Sequence, residues 1–185
     1  MSDRSATPPS PAPTPIPTAI PRGLDALFRP RSVAVIGTSS KARTIGREIL
    51  SNLLEMELQG IVFPVNPTHS VVQSIKCFPT VDAIPDPVDL AVIVVPSTHV
   101  EEVMQQCARK GVGGVVIISA GFREVGPAGR ELEDRVMAIA RDAGIRVIGP
   151  NCMGIINTDP SVRLSRTRLL LKVTQRGPRK YRAGE

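Results

Sequence analysis

The residues best suited to chemistry stand directly after short apolar segments. The first segment, 32–36, is followed by a turn of small, hydroxyl and basic residues, namely Gly37, Thr38, Ser39, Ser40, Lys41, Arg43 and Gly46. Backbone N–H groups, a helix N-terminus, hydroxyls and two cations can together hold a phosphate. The turn is neither GxGxxG, since Ser39 replaces the second glycine, nor a Walker loop. The composition of the turn predicts a phosphate-binding site. A tight strand–helix turn that binds no ligand remains the alternative.

The later apolar segments end in residues of the same kind. These are Asn66 and Pro67, then Val95, Pro96 and Ser97, then Ser119, Ala120 and Gly121, and finally Asn151 and Cys152. Glycine and proline in such loops let a flat ring or a pyrophosphate approach the backbone. Asn66 stands where NAD-binding proteins carry Asp or Glu for the ribose hydroxyls. That difference counts against an NAD(H) site.

The apolar segments that must position these loops are short and rich in β-branched residues. They cover 32–36, 61–65, 90–95, 115–119 and 146–148. Continuous apolar runs of this length indicate strands covered on both faces, as in a parallel sheet. Segments of helical period lie between them, and Ser97 or Thr98 is placed to cap the helix that contains Val103. This alternation predicts a doubly wound, Rossmann-like α/β domain with ligands at the carboxyl ends of its strands.

Composition divides the 185 residues into three parts. Residues 1–22 hold seven of the 18 prolines and are expected to form a disordered arm, 23–164 the Rossmann-like domain, and 165–185 a basic, disordered tail. The net charge of +6 is concentrated at the end, since 163–185 carry +7 and 1–162 carry −1. Aromatic residues make up 3% and tryptophan is absent. A nucleic-acid-binding surface on the domain is therefore not expected.

Cysteine and hydropathy patterns limit the location and the chemistry. Three cysteines without a CxxC pair exclude a disulfide scaffold or a zinc ribbon. No apolar run reaches the length of a membrane span, and no secretory signal is present, so a cytoplasmic protein without membrane contact is expected. His99 is interpreted as a partly exposed polar residue or a phosphate donor. Cys107 is assigned to the core and Glu124 either to the site or to solvent.

Five ordered segments carry a family resemblance. VAVIGTSSKARTIG, VFPVNP, VDLAVIVVP, VVIISAGFREVG and VIGPNCMGIINT resemble the CoA-binding domain of NDP-forming acyl-CoA synthetases, which include succinyl-CoA synthetase α-subunits and ADP-forming acetate–CoA ligases. LDALFRPRSVAVIG and SIKCFPTVDAIPDPVDLAVIVVP are most similar to the bifunctional bacterial form, in which ligase modules are joined to a GNAT acetyltransferase. The resemblance covers about residues 24–164.

The resemblance implies coenzyme A (CoA) bound across the strand ends. It places the CoA phosphates against 37–46, the adenosine side near 66–67, the adenine near 95–96, and the pantetheine and thiol near 119–121 and 151–152. The family often has Lys after the Asn-Pro pair as a partner for the 3′-phosphate. Thr68 and His69 follow here, so Lys41 or Arg43 is the expected replacement.

The resemblance also implies what is missing. The family reaction uses a phosphorylated histidine and an ATP-grasp module, and the similarity stops near Leu164. We therefore expect a truncated family fragment, inactive as an acid–thiol ligase by itself, with the missing modules as partners in trans. Two other functions stay open: an NAD(H)-binding redox protein or sensor, and nucleic-acid binding through the basic tail.

Overall fold

A computed structural model of the chain describes residues 23–41, 43–55, 58, 60–155 and 157. The proposed arm 1–22 and tail 165–185 lie outside these residues. The elements are α1 (Asp25–Phe28), β1 (Ser32–Ile36), α2 (Ile45–Glu55), β2 (Ile61–Val65), β3 (Val71–Val72), β4 (Ile75–Lys76), β5 (Leu90–Ile93), α3 (Ser97–Lys110), β6 (Gly114–Ile117), α4 (Pro127–Asp142) and β7 (Arg146–Ile148), with a 3₁₀ turn at Arg123–Val125 before α4.

Five strands form one parallel sheet in the order β2-β1-β5-β6-β7. After β1 the chain adds β2 on one side and then crosses to β5 on the other. The switch point, where ligands of such sheets bind, therefore lies between β1 and β5. This order confirms the predicted doubly wound, Rossmann-like α/β fold, and it is the 2-1-3-4-5 variant when only the strands of this sheet are counted.

Both faces of the sheet are covered, which explains the continuous apolar runs. Ala34 and Ile36 of β1 belong to a cluster with α3 and α4, which contribute Val100, Met104, Cys107, Val136 and Ala140. Val33 and Val35 belong to a second cluster with Leu27 of α1 and with Ile49 and Leu53 of α2. Alternate side chains along a strand point to opposite faces, so a strand between two helical layers is apolar at successive positions, as β1 is from Val33 to Ile36.

Two predicted strands end earlier than their apolar runs. The runs 90–95 and 115–119 form strands only to Ile93 and Ile117, and β6 begins at Gly114. The next backbone N–H groups still pair across the sheet, from Val94 to Ile36 O and from Ile118 to Ile93 O. The extra apolar residues therefore line the base of the loops instead of extending the sheet.

The predicted cap of α3 is wrong. Pro96 is the N-cap residue, with φ −52° and ψ 145°, and no side chain caps the helix. Ser97 is already the first helical residue, so its hydroxyl cannot occupy the capping position. The fixed φ of proline and its extended ψ set the bend at which the chain enters α3.

A small hairpin that the sequence did not predict covers the outer edge of β2. β3 and β4 are antiparallel and joined by Gln73 and Ser74, both at positive φ. Phe78, just after β4, pairs with the end of β2: Phe78 N donates to Pro64 O within the strand, and Asn66 N, just after the strand, donates to Phe78 O. The segment that follows the hairpin then runs past the carboxyl end of β2.

Candidate functional site

A cleft of about 380 Å³ opens at the switch point, where β1, β2 and β5 end. Its lining residues are Ile36, Gly37, Val65, Asn66, Pro67, Pro79, Thr80, Val94, Val95, Pro96, His99, Glu102, Val103 and Gln106. Five predicted site residues come together here: Gly37, Asn66, Pro67, Val95 and Pro96. The walls are mainly apolar, with a few polar side chains, which is the usual character of a small-molecule site.

Two glycines shape the turn after β1. Gly37 has φ +95°, and a Cβ there would lie 3.0 Å from the backbone carbon and oxygen of Val94. A Cβ on Gly46 would lie 2.4 Å from Gly37 O, so α2 begins directly against the turn. Gly37 supplies the backbone conformation and Gly46 supplies the close approach of helix to strand.

Asn66 joins the first two strand-end loops. Its Nδ2 donates to Thr38 O at 2.6 Å, and its Oδ1 accepts from the N–H and the hydroxyl of Thr68, both at 2.8 Å. Thr38 is buried and its hydroxyl donates to Val65 O. Both side chains therefore fix the floor of the site, and the backbone is what these residues present to a ligand.

The other predicted residues of the turn lie on the same edge without lining the cleft. Ser39 Oγ accepts from Lys41 N at 3.1 Å, and Arg43 has φ +65°. Lys41 and Arg43 are exposed. Arg47, which was not among the predicted site residues, donates from Nη1 to Ser40 O at 3.0 Å. The turn is thus built from its own polar groups, with cations at its rim.

The remaining predicted residues form a second group at the ends of β6 and β7. Ser119 donates its hydroxyl to Val95 O, and Asn151 donates its N–H to Ser119 O at 3.0 Å. The Cys152 thiol lies 3.2 Å from Ile117 O. Ala120 is exposed, and a Cβ on Gly121 would lie 2.5 Å from Ser97 Oγ. These loops adjoin the cleft through Val95 and Ser97 but do not line it.

An ion pair with α4 holds the loop after β6 in place. Glu133 of α4 is 6% exposed, and Arg123 donates to it from Nε at 2.8 Å and pairs through Nη2 at 2.5 Å. These bonds lower the pKa of the Glu133 carboxyl. Glu124 accepts from Gly121 N at 2.6 Å, which lowers the pKa of Glu124. Glu124 is therefore an ordered part of this loop.

Several cleft residues were not predicted from the sequence. Pro79 and Thr80 come from the segment after the unpredicted hairpin, and Glu102 and Gln106 look like ordinary residues of a polar helix. His99 lines the cleft and is exposed. The available signal was helical spacing, because positions 99, 102, 103 and 106 share one face of α3.

In the described part of the chain, the cysteine thiols and the acidic side chains form no second candidate site. Cys107 is fully buried in the core, which confirms the prediction, and this burial raises the pKa of its thiol to about 12. Burial also raises the pKa of the Cys77 thiol. Among the described residues no group of three His, Cys, Asp or Glu side chains is arranged to hold a metal. Within the same residues no helix is both long and apolar enough to cross a membrane.

Comparison with known sequences gives matches over the same region. A family model described as a CoA binding domain matches residues 31–158. The ADP-forming acetate–CoA ligase II of Archaeoglobus fulgidus is 47% identical over 133 residues, which are 72% of this chain and 20% of that protein. The α-subunit of the ADP-forming acetate–CoA ligase II of Pyrococcus furiosus is 47% identical over 135 residues, 73% of this chain and 29% of the subunit. The chain thus spans under a third of the length of these relatives.

Comparison with solved structures gives a match of the same kind. The dinucleotide forming acetyl-coenzyme A synthetase 1 of Ca. Korarchaeum cryptofilum, in complex with phosphate and ADP, matches with a TM-score of 0.72 and 42% sequence identity. The match covers 78% of this chain and 30% of that one. At 42% identity the likeness is one of sequence as well as of topology.

Proposed function

The chain belongs to the family of CoA-binding domains, and from this premise we propose that it binds CoA across the carboxyl ends of its parallel strands. The observation that supports the site most directly is the cleft at the switch point between β1 and β5. The apolar cleft suits a heterocycle, and it adjoins the glycine turn at the start of α2, which suits a phosphate.

Each part of CoA has residues suited to it. The adenine enters the cleft beside Val95 and Pro96, and the adenosine lies against Asn66 and Pro67. The phosphates face the turn 37–46, where the first N–H groups of α2 have no acceptor within the helix. Lys41 and Arg43, exposed at the rim, supply positive charge for the phosphates.

The pantetheine arm runs toward the second group of loops. Ser119, Ala120 and Gly121 follow the neighbouring strand β6, and Asn151 and Cys152 follow β7. The bond from Ser119 to Val95 O makes this path continuous with the wall of the cleft. The thiol of CoA would then be presented at the ends of β6 and β7, where a second protein module can reach it.

The wider reaction is proposed from the relatives. We propose that this domain serves ADP-forming acid–thiol ligation by holding CoA, and that the 185 residues alone form no acyl-CoA. Their two histidines do not match a phosphohistidine loop: His69 stands in a loop and His99 at the start of α3. Because one relative is named an α-subunit, further ligase modules are proposed as partners in trans. The described cysteines are unpaired, which favours a reducing compartment such as the cytoplasm.

Calorimetry of the purified chain tests the proposal. We expect CoA to bind with Kd of about 10 μM to 1 mM, as suits one domain of a larger site. Dephospho-CoA is expected to bind more weakly than CoA, and NADH more weakly than both. NADH binding more tightly than CoA would refute the proposal. Formation of acyl-CoA from acid, ATP and CoA by this chain would refute the proposed lack of ligation.

A further inference from the structure

Gln106 is a buried polar residue whose side-chain amide is only half used. It lines the cleft from α3, it is 7% exposed, and its Oε1 accepts a hydrogen bond from Val81 N at 3.0 Å. No polar atom of the described residues accepts a hydrogen bond from its Nε2. The Val81 N–H requires an oxygen opposite it, which fixes the orientation of the amide. Gln106 therefore gives the wall of the cleft a buried side-chain N–H group that has no acceptor among the described residues.

The other polar residues of the cleft differ from Gln106. Asn66 uses both ends of its amide within the protein, and Thr80 Oγ1 accepts from Ala83 N at 3.3 Å. His99 and Glu102 are exposed, so water satisfies them. Gln106 is the buried polar side chain in this set, and buried polar groups in proteins nearly always have a partner. The missing partner of Nε2 points to a ligand atom.

The surroundings of Gln106 indicate what kind of atom this is. The walls of the cleft are formed mainly by apolar side chains, among them Val65, Pro67, Pro79, Val95 and Val103. Proline rings and branched side chains pack well against a planar ring and supply no hydrogen bonds. CoA contains one planar ring system, adenine, whose N1, N3 and N7 are acceptors in the plane of the ring.

We propose that Gln106 is the residue that recognises the base, by donating a hydrogen bond from Nε2 to a ring nitrogen of adenine. This inference rests on the proposed binding of CoA and adds the contact that selects its base. The bond from Val81 N to Oε1 holds the amide in place before the ligand arrives, so no side-chain freedom is lost on binding.

Analogues that lack one ring nitrogen test the contact. The wild-type chain is titrated with CoA, and ADP and its 1-deaza, 3-deaza and 7-deaza forms are measured by competition against CoA. We expect one deaza form to bind at least about tenfold more weakly than ADP, and the other two within about threefold. Equal binding of all four nucleotides, the result if water satisfies Gln106, would overturn the proposal, as would failure of ADP to compete.

Variants assign the effect to the residue. Gln106→Met removes the donor. Gln106→Glu removes it when the carboxyl is ionised, so this variant is measured at a pH where the discrimination no longer changes with pH, and it keeps an acceptor for the Val81 N–H, so that the loop stays folded. Both should lose the discrimination against the sensitive deaza form. Gln105→Met, at the exposed neighbour on the same helix, should keep it. Discrimination that survives in folded Gln106 variants, as checked by thermal melting, would contradict the inference. Wild-type protein that fails to bind CoA at all would refute the proposed function itself.

Discussion

Gly37 shows how a single residue can serve both the fold and the ligand. Its φ of +95° strains any side chain, and a Cβ there would lie 3.0 Å from the Val94 backbone, so a methyl group fits only if the turn shifts by a few tenths of an ångström. We expect Gly37→Ala to lower the free energy of unfolding by about 1–3 kcal/mol through backbone strain, with steric crowding in addition. It should also weaken CoA binding, since the turn must move away from Val94. Denaturant unfolding and calorimetry measure both effects.

Gly126 provides a matched control for that substitution. It has φ +110°, and a Cβ there would meet nothing within 4 Å. Gly126→Ala should therefore show only the conformational cost and should leave CoA affinity unchanged. If both variants lose the same stability and neither changes CoA affinity, crowding at Gly37 is not part of the site.

At the same scale, the sequence could locate the site but not the use of every side chain in it. Asn66 and Pro67 were predicted beside the ligand because they follow a strand, and they do line the cleft. The pattern could not show that the Asn66 amide is consumed by Thr38 and Thr68, because those contacts are set by the folded loop. Gln106 gave no signal, since a glutamine pair in a polar helix is typical of a solvated surface.

At the scale of elements, the ion pair between Arg123 and Glu133 fixes the loop after β6 to α4. Glu133 is nearly buried and binds Arg123, so Glu133→Gln leaves a charged partner with a weaker acceptor. We expect this variant to lower the melting temperature at pH 7 by about 3–10 °C. The pair Glu101–Arg135 links α3 and α4 on the outer surface, with side chains 33% and 53% exposed. Glu101→Gln should change the melting temperature much less.

The pH dependence of this difference has a definite sign. The hydrogen bonds and charge of Arg123 hold the pKa of the Glu133 carboxyl below its ordinary value, while burial and, less strongly, the neighbouring Glu124 oppose that shift. The stabilisation is therefore present above the ordinary glutamate pKa of about 4.3 and is lost as the pH falls through the lowered value. The melting temperatures of wild type and Glu133→Gln should therefore converge as the pH falls below the ordinary glutamate pKa and through the lowered pKa of Glu133. A gap that persists at low pH would attribute the effect to packing instead of charge.

Element boundaries follow the sequence where composition and geometry agree. β1, β2 and β7 have the predicted bounds, because apolar runs and strands end together there. β5 and β6 are shorter because Val95 and Ser119 belong to the loops that line and adjoin the cleft. The β3–β4 hairpin was missed because Gln73 and Ser74 occupy positive φ, where Asn-Gly is the usual signal.

At the scale of the whole molecule, the excess positive charge and the folded core lie in different parts of the sequence. The two main clusters that cover the sheet are built from residues between Leu27 and Ile155, and the family model ends at residue 158. Residues 165–185 contain seven of the 23 basic side chains and one acid. The basic character of the chain therefore arises mainly outside the part that forms the proposed CoA site.

Removing residues 165–185 tests this separation. We expect the shortened chain to melt within about 2 °C of the full chain and to bind CoA within about threefold, since the core and the cleft are formed by residues before 158. The competing possibility is a nucleic-acid tail, for which seven cations would give a slope of about −6 for log K against log salt on duplex DNA. Titration of labelled duplex DNA at several salt concentrations decides between them. Tight binding at physiological salt that is lost on deletion, and that a scrambled tail of equal charge does not restore, would show that the tail has evolved to bind nucleic acid.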